Sequence, residues 1–197
     1  NLVATDKMVD SPTNNFCTWN GICKDTNATL SEGNLELIGT AHYGASFGTI
    51  GEDSGKWYWE TLVVNSLGAY IGTGIAKETA TDAVDTIWAG GTDSISYYPD
   101  GNIYNNGSST SSSMPTYAVG DIIGVAIDLE NSKLYFSKNN SWINSGDPTS
   151  GATGTGSVAT PASVGWMPLA HGSTSSGGYV ANFGQDSSFA GDETAQG

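Results

Sequence analysis

Lysine and arginine together number only 6 in this 197-residue chain, against 20 aspartates and glutamates, for a net charge of −14. That shortage argues against nucleic acid as a partner, since phosphate contacts need clustered cations. A basic amphipathic segment is missing too, which argues against binding to a membrane surface. No apolar run approaches the ~20 residues of a membrane span, and Asn1 to Asp6 (NLVATD) lacks the features of a signal peptide. The only cysteines are Cys17 and Cys23. They could close one small loop in an oxidising compartment or remain two thiols, but they make neither a disulfide framework nor a zinc site. Long Ala/Leu/Glu/Lys runs are absent, and no segment reads as a helix. The chain also lacks an initiator Met and reaches Gly197 without a structural stop, so we expect it to be a fragment of a longer protein.

What is present is glycine, 27 residues of it, with many serines and asparagines. Such a composition predicts many short strands joined by turns. A chain of this length can form one core and bury roughly 70% of its extended surface. The clearest strand runs from Ile122 to Leu129, where Ile123, Val125, Ile127 and Leu129 alternate with Gly124, Ala126 and Asp128. Glu130 to Lys133 supplies turn residues and Leu134 to Ser137 resumes an apolar run, so residues 119–143 predict a hairpin. Lys56 to Val64 is the second strongest strand. Trp57, Trp59, Thr61 and Val63 fall on one side and Tyr58, Glu60, Leu62 and Val64 on the other, which predicts a central strand covered on both faces.

The phrase GDIIGVAIDLENSKLYFSKNN (Gly120 to Asn140), preceded by GKWYWE (Gly55 to Glu60) and Gly72-Thr73-Gly74-Ile75-Ala76, and followed by NFGQ (Asn182 to Gln185) and Phe189, resembles the SPRY (B30.2) domain family. The resemblance spans residues 30–190. It implies an all-β fold, a bent antiparallel β-sandwich of the concanavalin-like jelly-roll type, that binds partners through its loops. It also implies a non-enzymatic module with no cofactor. DSPTNNF (Asp10 to Phe16) is similar to the lead-in of SPRY-like modules in structural proteins of marine bacteriophages, which implies a place in a virion and a role in host recognition.

Along the chain, residues 1–29 read as a turn-rich segment packing on the sandwich through Phe16 and Trp19, residues 30–190 as the sandwich, and 191–197 as a tail. Leu30 to Ile38 holds a strand after a Gly33-Asn34 turn, and Ala41 to Phe47 is its neighbour. Pro99-Asp100-Gly101-Asn102 is a turn signature that joins Ser94 to Tyr98 with Asn102 to Tyr104. Asn105 to Met114 and Asn144 to Pro161 are polar enough to be read as loops. Ser163 to Ala170 and Gly178 to Phe183 are the last strands, and no repeat is visible.

Enzyme-like fragments fail on their surroundings. Gly44-Ala45-Ser46-Phe47-Gly48 matches G-x-S-x-G, but a turn follows it where a nucleophile elbow needs a helix. Gly51 and Gly55-Lys56 miss the phosphate-loop spacing, and Gly72 with Gly74 opens no helix. His42 and His171 have no metal-ligand partner at sequence spacing. Glu52-Asp53 are adjacent, Glu60 stands alone, and Asp128 and Glu130 flank a turn, so no pair is placed as the acids of a retaining glycosidase. Asp100, Asn102 and Asn105 are better explained by an Asx turn than by calcium, so no metal ligand is expected.

What remains is a binding surface. Trp88, Tyr97, Tyr98, Tyr104, Asn139, Asn140 and Trp142 lie in or beside loops, and aromatic platforms edged by Asn suit both protein hot spots and sugar rings. Trp57, Trp59 and Phe136 are assigned to the core. The expected partner is a protein or host-surface receptor, with a glycan as an alternative. The rival readings are a lectin-like module or glycan hydrolase and a purely structural virion decoration.

Overall fold

The computed structural model describes residues 15–40, 44–65, 71–80, 93–111, 113–159, 161, 164–173 and 176–193. Among the described residues, fourteen strands form two antiparallel seven-stranded sheets. The first contains β1 (Trp19–Lys24), β4 (Gly44–Gly48), β13 (Trp166–Gly172), β6 (Gly72–Lys77), β7 (Ser94–Tyr97), β8 (Ile103–Asn105) and β9 (Ser108–Ser111), in that spatial order. The second contains β12 (Ser141–Trp142), β11 (Lys133–Lys138), β10 (Ile122–Asp128), β5 (Lys56–Val64), β14 (Gly178–Asn182), β3 (Glu36–Gly39) and β2 (Ala28–Ser31). Among the described residues the only helical pieces are three-residue 3-10 turns.

The alternating residues of β10 decide which face is the core. Ile123, Val125 and Ile127 pair with Thr61, Trp59 and Trp57 of β5 on one flank and with Lys138, Phe136 and Leu134 of β11 on the other. Ile123, Val125, Trp59, Phe136 and Leu134 are buried there against Ile75, Ile95 and Tyr97 of the first sheet. The hydroxyls of Thr61 and Thr73 meet across the two layers at 3.4 Å. A second apolar cluster, which includes Phe47, Ala76, Met167 and Leu169, lies on the outer face of the first sheet.

Several sequence expectations need correction. Trp57, assigned to the core, is 44% exposed, because it is the second residue of β5, at the strand end whose first three residues are all exposed. Tyr58 is 48% exposed, so β5 is covered on both faces only towards its far end, where Leu62 packs with Val180 and Phe189. The strand expected after the Gly33-Asn34 turn is β3, and the residues before the turn add a strand, β2, that pairs with it. Ser108–Ser111, read as loop, is a strand paired with β8, since backbone pairing needs no apolar side chain. Within residues 1–29, read as turn-rich, Trp19–Lys24 is an edge strand, and the Trp19 indole N–H donates to the Leu35 carbonyl at 2.8 Å.

Candidate functional site

The outer face of the second sheet is built on small residues. Across β5, β10, β11 and β12 the register sets Glu60 beside Gly124, Gly124 beside Ser137, and Ser137 beside Trp142. Trp142 at one end of that row and Tyr58, two residues before Glu60 on the same face of β5, can therefore lean over the small residues between them. Their rings meet edge to face with centroids 5.9 Å apart. Gly124 makes this possible: a Cβ there would lie 2.3 Å from the Ser137 hydroxyl and 2.7 Å from the Tyr58 hydroxyl. Tyr58 donates to Glu60 at 2.7 Å. Partial burial and the Glu60 carboxylate together push its phenol well above the usual range, so it stays a donor.

Two hollows flank this pair. One, about 250 Å³, is mostly apolar and runs from Trp57, Tyr58 and Trp142 to Pro148 and Thr149. The other, about 480 Å³, is polar and is lined by Glu60, Asn139, Asn140, Asn182 and Glu193 with Ile122 and Phe189. Lysines sit nearby but are engaged: Lys56 pairs with Asp128 at 3.0 Å and Lys138 with Asp121 at 2.9 Å. The polar hollow is thus an acid- and amide-lined surface beside an aromatic shelf.

Asn139 and Asn140 owe their identity first to the backbone. They form the two-residue loop between β11 and β12, with φ of 47° and 65°, the left-handed conformations that a type I′ hairpin turn demands and Asn tolerates. Asn139 is further tied down, since its amide accepts from the Ile122 N–H at 2.8 Å and donates to Asp121 at 2.7 Å. Asn140 is exposed at the rim of the hollow.

The other expected contact residues are elsewhere. Tyr97 and Tyr98 are 0% and 4% exposed, and so neither can touch a macromolecular partner. The Tyr97 ring packs on Tyr117 and Phe136 between the sheets, and the Tyr98 ring packs on His171 and Tyr104. Alternation explains the error: neighbouring residues of a strand face opposite ways, and both faces of this sheet are covered here. Tyr104 is half-buried on Tyr98. Trp88 and His42 lie outside the described residues. Asp100 accepts from the backbone and side-chain amides of Asn102 at 3.0 and 2.6 Å, an Asx turn. Among the described residues no three His, Cys, Asp or Glu side chains are grouped to hold a metal ion. Both cysteines are thiols, and burial pushes that of Cys17 up.

A family model described as SPRY domain matches residues 56–166, more than half of the chain. The chain belongs to the SPRY domain family. SPRY domains are typically protein–protein interaction modules and are generally not catalytic. Solved structures agree on the fold. The SPRY domain of human HERC1 superposes with a TM-score of 0.65 at 18% identity, over 83% of this chain and 95% of that one. The TRIM65 PSpry domain gives 0.59 at 11% identity, over 85% and 92%. No curated protein matches the chain. Among the described residues of this SPRY domain, no helix is long and apolar enough to cross a membrane.

Proposed function

We propose that this SPRY domain is a non-enzymatic recognition module that seats a protein partner on the outer face of its second sheet. Tyr58 and Trp142 are the anchor, and Asn140, Asn182, Glu60 and Glu193 are the polar rim. The pairing of the exposed Tyr58 with the half-buried Trp142 over a floor of small residues carries this reading, because strand-borne aromatics offer contact area at little entropic cost. The acidic rim suits a partner segment that brings an apolar side chain and neighbouring cationic or amide groups. The likeness of Asp10 to Phe16 to marine phage modules supports a larger phage structural protein as the parent, with a host-surface receptor or a neighbouring subunit as the partner.

The test is binding of the wild-type domain and of Tyr58→Ala and Trp142→Ala variants to host-envelope and virion proteins. We expect a loss of tenfold or more in each variant, the scale of about 1.4 kcal/mol or more seen at interface hot spots. A glycan array signal that falls in Trp142→Ala would transfer the site to the lectin reading. Release of reducing sugar would establish a hydrolase. Antibody labelling of purified particles tests the virion assignment.

A further inference from the structure

Where the two sheets part beside Trp57, an opening of about 130 Å³ runs inward between the layers. Trp59 and Ile127 of the second sheet and Ile75 and Trp166 of the first form its walls, and Phe183 lies at one side. Trp59, Ile75, Ile127 and Trp166 are each at most 5% exposed. An enclosed apolar cavity of about 150 Å³ is known to take up a single aromatic ring, and this opening, apolar at Trp59, Ile75, Ile127 and Trp166 and lined also by Asn15, Cys17 and Glu52, has room for such a guest.

The indole of Trp59 is the second observation. Its Nε1–H is buried and has no acceptor, whereas the indoles of Trp19 and Trp57 donate to the carbonyls of Leu35 and Ser54, both at 2.8 Å. Buried donors in folded proteins almost always find an acceptor. A donor left open on the wall of an apolar cavity is a place for a ligand that brings one.

We propose that this cavity is a binding site for a small apolar molecule, a single aromatic ring or a comparably short chain, bearing one carbonyl or hydroxyl oxygen that accepts from Trp59 Nε1. The site adjoins the outer-face anchor at Tyr58 but does not include Trp142. The lining disfavours anionic ligands, because the charge it carries is that of Glu52 and no cation stands there to offset desolvation.

Acetophenone and α-methylstyrene have nearly the same shape, and only the first has an acceptor. In a titration of the ¹⁵N-labelled wild-type domain, acetophenone should move the Trp59 indole resonance and bind roughly three- to tenfold more tightly than α-methylstyrene, the value of one neutral hydrogen bond. Trp59→Phe should abolish that preference while Trp142→Ala leaves it intact. Equal binding of the two compounds to wild type, or no displacement of the Trp59 resonance by acetophenone, would overturn the proposal even if Trp59→Phe failed to fold.

Discussion

Asp128 is ionised although its side chain is 2% exposed. Burial opposes that charge, and hydrogen bonds from Asn131 and Lys56 outweigh it, holding the carboxyl below the usual range. A lowered folded pKa means that the unfolded chain takes up the proton first. The stabilisation is therefore complete above pH about 4 and is lost as pH falls through the folded value. Urea unfolding between about pH 5 and 2 should show this fall, and Asp128→Asn should flatten part of it while costing about 2 kcal/mol at neutral pH. The hydroxyls of Tyr117 and Tyr179 behave in the opposite sense. They share a buried 2.8 Å hydrogen bond, and burial raises both far above the usual phenol range. Their contribution is intact below pH about 10 and is lost above it, as unfolded tyrosines ionise. Stability in urea that stayed level from about pH 9 to 11 would contradict this.

At the scale of elements, the β10–β11–β12 ribbon serves both the core and the site. Its inner row predicts damage to stability: Phe136→Ala should cost about 3–5 kcal/mol. Its outer row predicts damage to binding. Gly124→Ala should shift the Tyr58 ring from Glu60 and weaken partner binding, with about 1 kcal/mol lost in stability because flexible side chains can yield. Chemical denaturation of the two variants separates the outcomes. The ribbon was largely legible in the sequence, since Ile123, Val125 and Ile127 alternate cleanly and Glu130 to Lys133 marks the turn. Of the proposed site, Trp142 and Asn140 were legible in the sequence. Tyr58 was hidden because aromatics occupy successive positions in Lys56 to Val64, so alternation could not tell a covered face from an open one. Tyr97 and Tyr98 misled for the same reason. Asn139-Asn140 carried a turn signal, an Asn pair between two strands, that fits a type I′ hairpin.

For the molecule as a whole, the acidic balance and the small-residue floor bear on the same function. With a net charge of −14, self-repulsion opposes the compact state, and salt should screen it. The melting temperature should therefore rise between low salt and about 0.5 M NaCl. A fall would mean that the ion pairs Lys56–Asp128, Lys77–Asp93 and Lys138–Asp121 outweigh the repulsion. The sandwich sets the exposed Tyr58 against the half-buried Trp142 on the outer face of its second sheet while it buries Tyr97, Tyr98, Trp59 and Phe136. Recognition by that face is tested most directly by the dissociation constant of the partner for wild type and for the Tyr58→Ala/Trp142→Ala double variant, with thermal melts confirming that both are folded. The expected result is a loss of at least tenfold in affinity at an unchanged fold. Equal affinity of the two proteins would contradict it.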